Sequence, residues 1–555
     1  MALRTNEIVL LDDGINESVY QLTRPVQSIE ITKHGIIKER NKYNPNQASH
    51  GTICAAIIQT YAPGAAVHSV KILDENTRGF MMQLVRGIRW CMDSGFKLIN
   101  LSLGSIHLQD YPVMQKIVNE AYRQGLIIVA ACSNKNLFTY PASLENVIGV
   151  RCDSNELLQQ KEYYYHICPD DGIEITANGA HCLRMANGRE EKLYPANSYA
   201  TPLITAKVYH FLKRYPEATL EEVKKYLYQN AVNYNPRFRR QLKFTRSIDW
   251  VHQAILYCLR PQTQKYETMP IPGYVQNYIE IPCQTIFEGL LEVLEQRPVP
   301  KGGVKPEESV IIVIKKGLVS TDPIREKCLL NRIARLRKNL VWINEDTRHP
   351  HLELTNVPGS TRKIWQSSFL ESENPDILEP EELDIPLIIC YNLIPGSTFP
   401  DCQIAEFFKE DGYRVLQLTD QAAGILLGWN YAPLYHFYER NHAFNDYLPK
   451  LNRIYAPDLM ILAVNADGRE LPYIEGIQQR LRPDINLYFT IQAADVSPYV
   501  FKNAPESRNI IISQLMKQKF LDQSGHIPIF HFQRPRKIYK YLIKLFQQDQ
   551  LNQQV

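Results

Sequence analysis

The sequence predicts an α/β protein in which strands of parallel sheets alternate with helices. Between residues 385 and about 520, short apolar runs alternate with amphipathic runs of helical period, the pattern of a parallel doubly wound sheet. In the N-terminal part, an apolar strand ends at Asp12, and further apolar strands lead into polar segments at Ser102 and Asn134. The 555 residues, 45% of them hydrophobic, suffice for two to four domains.

Three short segments carry, in chain order, an aspartate, a histidine and a serine. Asp12 follows the apolar run 8–11, His50 opens a helix-like run of small residues, and Ser198 precedes a second helical run. A serine hydroxyl is a poor nucleophile at its ordinary pKa, so it needs an imidazole to accept its proton and a carboxylate to orient that imidazole. Each segment alone is more often a turn or a helix start. Their order and local context together predict a nucleophilic hydrolase.

Residues 5 to about 260 resemble the subtilisin-type serine peptidases, the subtilase family. The family's motifs appear as Leu-Asp-Asp-Gly at 11–14, His-Gly-Thr-Ile-Cys-Ala-Ala at 50–56 and Ala-Asn-Ser-Tyr-Ala-Thr-Pro at 196–202. Between them, Asn-Leu-Ser-Leu-Gly at 100–104 resembles the substrate-binding strand, and Val-Ala-Ala-Cys-Ser-Asn at 129–134 resembles the strand that ends in the oxyanion asparagine. The resemblance implies a subtilisin-like parallel doubly wound sheet for this part of the chain.

The resemblance also implies roles for individual residues. Ser198 would attack the scissile carbonyl, His50 would take its proton, and Asp12 would hold the imidazole in the required tautomer. The side chain of Asn134, with the Ser198 N–H, would stabilise the oxyanion, and loss of such a donor typically costs ~10²–10³ in kcat. The residues expected to contact the substrate are Ser102, Leu103, Gly104, Ser133 and Lys135. We expect neither a metal ion nor a cofactor.

Departures from the family pattern lie close to the expected site. Ala196 and Asn197 replace the glycine and threonine before the nucleophile, which questions the close backbone approach there, although Asn197 could also donate to the oxyanion. Ser133 replaces a glycine and should narrow the specificity pocket. Lys135 could face the bottom of that pocket and favour an acidic residue before the scissile bond. A solvated surface lysine is the commoner situation.

Cysteine usage and charge bear on compartment and partners. The 11 cysteines are dispersed and odd in number, which favours free thiols in a reducing compartment. Cys54, one helical turn after His50, is expected to be either a small buried filler or a thiol that makes the site sensitive to mercurials. The short stretch before the first strand and the lack of an apolar run of ~20 residues predict a cytoplasmic protein that does not cross a membrane. The net charge of +3 gives no reason to expect nucleic acid.

The predicted domain order is a peptidase domain at 1–260, a linker at 261–282, a small α/β or connecting region at 283–383 and a C-terminal α/β domain at 384–555. The connecting region is expected to hold helices at 285–296 and 322–339 and strands at 310–314 and 340–344. In the C-terminal domain, strands are predicted at 386–391, 414–417, 458–464 and 485–490. Helices are predicted at 404–410 and 474–481, with a less clear run at 447–454.

The C-terminal domain faintly resembles P-loop-like domains, because Gly-Tyr-Arg-Val-Leu-Gln at 412–417 follows a strand, a loop and a helix. The loop at 392–400 has a single glycine and lacks the Gly-Lys-Ser/Thr sequence that grips phosphate and magnesium. We therefore predict a degenerate domain of this type, without a nucleotide site, whose expected role is substrate docking or that of a scaffold.

These features predict a cytoplasmic, bacterial serine endopeptidase acting on a dedicated peptide or protein substrate, for example by removing a leader during peptide maturation. One alternative is a catalytically weak peptide-binding or regulatory protein that uses the same fold. Another is a nucleotide-gated protease, which would require the C-terminal domain to bind ATP or GTP. Catalytic activity is favoured because Asp12, His50, Asn134 and Ser198 are all present.

Overall fold

Three large β-sheets organise the chain. The computed structural model describes residues 4–20, 22, 25–40, 48–74, 76, 78–135, 137–167, 169, 171–236, 247–260, 275–282, 309–314, 339–344, 363–367, 383–394, 402–432, 434, 444–466, 471–496, 507–515, 521–522 and 525–553. Each large sheet is built mainly or entirely of parallel strands, as the alternation of strands and helices predicts.

The first sheet lies in the N-terminal part and contains nine strands. They are β1 Arg4–Asp12, β2 Ser28–Ile31, β3 Ile37–Glu39, β4 Ala66–Lys71, β5 Phe96–Leu101, β6 Ile127–Ala131, β7 Ile148–Cys152, β8 Tyr163–Tyr165 and β9 Ile175–Ala177. Their order is β3-β2-β4-β1-β5-β6-β7-β9-β8. Only the edge pairs β2/β3 and β8/β9 are antiparallel. The central strands β5 and β6 are buried along their whole length, which is typical of a parallel sheet covered on both faces.

Helices cover both faces of this sheet. They are α1 His50–Tyr61, α2 Met81–Asp93, α3 Tyr111–Arg123, α4 Asn197–Arg214 and α5 Leu220–Gln229. Val9 and Leu11 of β1 pack with α2 and α3, whereas Ile8 and Leu10 pack with α1, α4 and α5. Successive β1 residues therefore supply the cores on opposite sides of the sheet. A small hairpin, β10 Cys182–Arg184 with β11 Glu190–Lys192, packs beside α1.

The second sheet differs from the predicted domain boundaries. Its strands are β12 Ala254–Arg260, β13 Val275–Pro282, β14 Ser309–Ile314, β15 Asn339–Asn344 and β16 Ile364–Gln366. They are all parallel, in the order β13-β12-β14-β15-β16. Residues 254–260, predicted as the end of the peptidase domain, and 275–282, predicted as linker, thus belong to this sheet, because β12 pairs with β13 and β14. The helix predicted at 285–296 lies outside the described residues, as do residues 322–338 of the helix predicted at 322–339, and Asn339 is instead the first residue of β15.

The third sheet occupies the C-terminal part. Its strands are β17 Leu387–Asn392, β18 Val415–Thr419, β19 Asn430–Tyr431, β20 Leu459–Asn465, β21 Ile485–Gln492, β22 Arg508–Leu515 and β25 Ile529–His531. A separate hairpin, β23 Leu521–Asp522 with β24 Gly525–His526, lies between β22 and β25 along the chain. The order is β19-β18-β20-β17-β21-β22-β25, with every neighbouring pair parallel. The accompanying helices are α6 Cys402–Glu410, α7 Phe444–Tyr455, α8 Leu471–Leu481 and α9 Pro535–Gln553.

The predicted C-terminal strands and helices coincide with β17, β18, β20, β21, α6 and α8, and the less clear run at 447–454 lies within α7. The degenerate P-loop-like assignment depends on the loop at 392–400, of which residues 395–400 lie outside the described part of the chain. Across the described residues, every helix is too short or too polar to cross a bilayer.

Candidate active site

The site lies at the carboxyl ends of the central strands of the first sheet, where parallel α/β folds usually place their ligands. Asp12 is the last residue of β1, and its side chain is fully buried. One carboxylate oxygen accepts the backbone N–H of Asp13 at 2.9 Å. Both oxygens contact Nδ1 of His50, at 2.9 and 3.0 Å. The predicted Asp12–His50 pair is therefore formed, and it leaves Nε2 of the imidazole for a second partner.

Helix α1 fixes the position of His50, its first residue. Ser49 caps the helix by accepting the Thr52 N–H at 3.3 Å. The carboxylate of Asp13 accepts the N–H groups of His50 and Gly51 at 3.0 and 2.8 Å. A negative charge at a helix N-terminus is favourable because the first N–H groups have no intrahelical acceptor. Asp13, to which the sequence analysis gave no role, thus anchors the helix that carries the histidine.

Close packing at the start of α1 explains why glycine follows His50. A Cβ on Gly51 would lie 2.6 Å from the carbonyl oxygen of Gly14 and 3.0 Å from the Cβ of Asp12. Any side chain would therefore push the helix away from the end of β1. The glycine lets the histidine and the aspartate approach to hydrogen-bonding distance.

Burial and charge act against each other on the two titrating groups. Burial raises the pKa of Asp12, while the charge and hydrogen bond of His50 lower it, and the net pKa is raised. Burial alone would lower the pKa of His50, but the charges of Asp12 and Asp13 and the hydrogen bond to Asp12 raise it above its ordinary value of 6.5. A histidine with a raised pKa is a strong base once it is deprotonated, which suits it to take a hydroxyl proton.

Ser198 lies in the first turn of α4, and a proline in this helix leaves the carbonyl of Ser198 without its usual hydrogen-bond donor. Pro202 is inside the helix and has no N–H, so the carbonyl of Ser198, four residues earlier, lacks its intrahelical donor. That carbonyl accepts instead the Ser102 hydroxyl at 3.0 Å and the Cys54 thiol at 3.6 Å. The backbone of Ser198 is thereby tied to the end of β5 and to α1.

The ring of Tyr199 stacks on the ring of His50, with centroids 5.9 Å apart and an interplanar angle of 25°. This contact places the first turn of α4 beside the imidazole, and Tyr199 is a site residue that the sequence analysis did not assign. Within the described part of the chain, the Ser198 hydroxyl is not hydrogen-bonded to the imidazole ring of His50. Catalytic hydrogen bonds are often long without substrate and shorten when it binds.

Ser102 was predicted to contact substrate, but its side chain points into the protein. Its hydroxyl accepts the side-chain N–H of Asn100 at 3.0 Å, and Asn100 in turn accepts the Thr205 hydroxyl at 2.7 Å. Thr205 lies on α4, so this chain of hydrogen bonds joins β5 to two points on the helix that carries the nucleophile. The side chain of Ser102 therefore supports Ser198.

The two departures before the nucleophile have simple structural accounts. Ala196 is extended, with φ −149° and ψ 149°, a conformation that any L-residue adopts without strain. The Asn197 side chain is buried. It donates to the Ser133 carbonyl at 3.0 Å and accepts the Cys152 N–H at 2.7 Å. Asn197 therefore ties α4 to the end of β6 and to β7, and this link uses its side-chain oxygen and one of its two side-chain N–H groups.

Asn134 and Lys135 are exposed at the end of β6, on the same edge of the sheet as Asp12. The Ser133 hydroxyl accepts the Lys135 N–H at 3.2 Å, and the Ser133 N–H donates to the Thr139 hydroxyl at 2.8 Å. Asn134 thus extends from a residue whose N–H, carbonyl and hydroxyl all have partners. The backbone next to its side-chain amide is held by hydrogen bonds, and the exposed amide is accessible to a ligand.

Residues 102–104 continue from β5 to an isolated antiparallel bridge between Ser105 and Tyr140. Leu103 is half-buried and Gly104 is exposed. A Cβ on Gly104 would lie 2.7 Å from both Thr139 Cγ2 and the Tyr140 carbonyl oxygen, so only glycine fits there. This segment leads from the strand that ends at Leu101 to the bridge with Tyr140, which lies in the segment that follows Asn134.

Asp12, His50 and Cys54 bring potential metal-ligand atoms within 4.8 Å of one another. The Nδ1 of His50 is already bonded to Asp12, and burial, with the nearby charge of Asp12, raises the pKa of the Cys54 thiol well above its ordinary value. A thiol must lose its proton to bind zinc well. The arrangement therefore fits proton transfer better than metal binding, and the buried Cys54 thiol lies near the histidine and contacts the Ser198 carbonyl.

Comparisons with known proteins concern the N-terminal part. Residues 6–247 match the family model described as the subtilase family, and the match ends before β12 begins. The chain is 28% identical over 204 residues to the minor extracellular protease Epr of Bacillus subtilis (strain 168), with 35% of this chain and 31% of that protein covered. It is 26% identical over 221 residues to subtilisin DY of Bacillus licheniformis, with 35% and 75% covered. The chain thus spans about a third of the first relative's length and three quarters of the second's.

Among solved structures, the crystal structure of a lanthipeptide protease is similar at 16% sequence identity and a TM-score of 0.34. The similarity covers 42% of this chain and 81% of that chain.

Proposed function

We propose that the protein is a serine endopeptidase, because residues 6–247 match the subtilase family model and because the geometry of the site suits that reaction. The observation that carries the proposal is the buried Asp12–His50 pair, held by α1 beside the first turn of α4 that bears Ser198. Both helix starts are fixed by hydrogen bonds to the strand ends, so the groups are arranged before substrate binds. Such preorganisation is where enzymes gain most of their rate.

In the proposed reaction, His50 Nε2 removes the Ser198 hydroxyl proton while Oγ forms a bond to the scissile carbonyl carbon. The carbonyl oxygen takes the negative charge and accepts hydrogen bonds from the Asn134 amide and from the Ser198 N–H, which as a first-turn group has no intrahelical acceptor. The C–N bond then breaks, and the proton on His50 passes to the leaving amine. Water repeats the sequence and hydrolyses the acyl-enzyme.

We propose that the peptide binds along residues 102–104, opposite Ser133 and Lys135. The backbone of Leu103 and Gly104 is suited to strand addition, in which main-chain hydrogen bonds give affinity and side-chain pockets give specificity. The side chain of Ser133 narrows the pocket relative to glycine, and the exposed Lys135 cation would favour an acidic residue before the scissile bond. These features support a dedicated peptide substrate, of which the leader of a ribosomally made precursor is one example.

A reducing, cytoplasmic location is part of the proposal. Free thiols in the described part of the chain include Cys54, Cys91, Cys132, Cys152 and Cys182. Free thiols persist where glutathione and thioredoxin keep them reduced. Alkylation of cell extracts without prior reduction should modify the exposed Cys182, and a disulfide-bonded Cys182 would contradict this location.

The alternative of a catalytically weak binding protein rested on Ala196 and Asn197. Ala196 is unstrained, and Asn197 supports the oxyanion strand, so neither departure argues for a disabled site. We therefore retain the endopeptidase as the single proposed function.

The proposal is tested by treating the full-length protein with a fluorophosphonate probe and mapping the adduct by mass spectrometry. We expect a single adduct on Ser198, because only a serine with an assembled base and oxyanion site displaces fluoride at a useful rate. Heat-denatured protein is the control and should remain unmodified. A native, reduced protein that gains no adduct would exclude the endopeptidase.

The pH dependence should follow His50. Its neutral form is the base, and Asp12 and Asp13 raise its pKa, so the rate of labelling should rise with pH and have its midpoint above 6.5. The measurement is the second-order rate of fluorophosphonate labelling between mildly acidic and alkaline pH. A midpoint below the ordinary histidine value would contradict the charge environment described here.

A further inference from the structure

The segment that follows Asn134 is held by a helix from the C-terminal part of the chain. The backbone N–H of Phe138 donates a hydrogen bond to the carbonyl oxygen of Ile454. The Phe138 ring stacks on the Tyr455 ring, with centroids 4.8 Å apart and an interplanar angle of 13°. Ile454 and Tyr455 are the last two residues of α7, which packs in the third sheet. A backbone hydrogen bond and a ring stack therefore join the N-terminal and C-terminal parts of the chain here.

The contact between Phe138 and the end of α7 satisfies a backbone carbonyl and buries two aromatic rings. The last carbonyls of a helix have no intrahelical donor, and that of Ile454 is satisfied by the Phe138 N–H. Phe138 and Tyr455 are each 8% exposed, and one continuous cluster of buried side chains includes both rings together with Tyr140 and Leu451. The joint is apolar and closely packed, unlike the polar, loosely packed contacts typical of domains that move freely.

Phe138 is connected to Asn134 through a short, hydrogen-bonded path. Its neighbour Thr139 accepts the Ser133 N–H, and Tyr140 pairs with Ser105 on the segment that continues from β5. The other side of Ser133 is held by Asn197 of α4. Asn134 therefore lies between a point fixed by the nucleophile helix and a point fixed by α7.

We propose that Phe138 and Tyr455 are positioning residues for the oxyanion asparagine, so that the C-terminal part of the chain takes part in catalysis by holding the Asn134 segment. This inference rests on the proposed endopeptidase function. An oxyanion donor acts only when it is aimed at the place where charge develops, and a displacement of about 1 Å can cost ~10²-fold in rate. Loss of the joint should therefore slow the chemical step and leave substrate binding nearly unchanged.

The experiment measures the saturation kinetics of fluorophosphonate labelling of Ser198 in the full-length protein, which separate the maximal rate from the half-saturating probe concentration. The variants are Phe138→Ala, Tyr455→Ala and Tyr455→Phe, with Tyr413→Ala as the matched control. Tyr413 packs edge-on against Phe408 in the same C-terminal part, so its truncation removes an aromatic contact away from the joint. Tyr455→Phe keeps the stacked ring and removes only the hydroxyl, which bonds Asn430 at 3.3 Å.

We expect Phe138→Ala and Tyr455→Ala each to lower the maximal rate about tenfold or more, with the half-saturating concentration within about twofold of the wild type. Tyr455→Phe and Tyr413→Ala should stay close to the wild type. In an Asn134→Ala background, Phe138→Ala should cause little further loss, because a segment that no longer carries a donor cannot be misplaced in a harmful way. General destabilisation would instead add to the Asn134→Ala effect.

Unchanged maximal rates in both alanine variants, or full additivity with Asn134→Ala, would overturn the inference while leaving the endopeptidase intact. A wild-type protein that is not labelled would overturn the endopeptidase itself, so the two failures are distinguishable. Tyr455→Ala changes no residue of the N-terminal part of the chain, so it gives the same test if Phe138→Ala does not fold.

Discussion

Ser198→Ala is expected to lower kcat for peptide cleavage by about 10⁶, the size of effect measured when the nucleophile of a subtilisin is removed. The loss is this large because His50 and Asp12 act only through the serine hydroxyl, and without it they have no proton to accept. The residual rate would come from the oxyanion donors and from substrate positioning. The measurement is hydrolysis of a fluorogenic peptide found by cleavage profiling, together with loss of the fluorophosphonate adduct.

The matched control is Ser154→Ala, which removes a hydroxyl from an exposed loop residue between β7 and β8. It should leave cleavage and labelling unchanged. If Ser198→Ala retained cleavage while Ser154→Ala behaved as wild type, the activity would belong to another group or to a contaminating peptidase, and the assignment of the nucleophile would be wrong.

The positions of the candidate catalytic residues in the fold could be predicted because each follows from a local sequence pattern. An apolar strand ending in Asp12, a small-residue helix beginning at His50 and a helix beginning near Ser198 are all visible along the chain, and the structure brings their ends to one edge of the sheet. The supporting residues could not be found in this way. Asp13 contacts α1 across 38 positions, and Asn197 contacts Cys152 across 45 positions, so their roles depend on which elements become neighbours.

Ser102 shows that a motif can place a residue on a strand without giving the direction of its side chain. The strand was correctly located. The Ser102 hydroxyl points into the protein because it donates to the Ser198 carbonyl, for which Pro202 has no N–H. The same limit applies to the fold. The domain boundary predicted at residue 260 is an example, because only the pairing of residues 254–260 with β13 and β14 places them in the second sheet. Strand existence is local information, whereas sheet membership is not.

Asp12→Asn is expected to lower kcat by about 10⁴, and the adjacent Asp13→Asn should cost far less. Both substitutions remove one negative charge near His50, and both charges raise its pKa. Both variants should therefore shift the midpoint of the pH–rate profile towards lower pH. Only Asp12 bonds Nδ1, so only its replacement by an amide allows the imidazole to take the wrong tautomer.

The comparison separates charge from orientation, because the two carboxylates are neighbours and each substitution is isosteric. Asp13→Asn keeps an acceptor oxygen for only one of the two N–H groups, those of His50 and Gly51, so α1 should remain in place with a modest loss of thermal stability. If the two variants lost activity equally, the aspartates would act through their charge alone. A large loss confined to Asp12→Asn, with similar pH shifts in both, would show that the carboxylate at the end of β1 works by holding the imidazole so that Nε2 faces the serine.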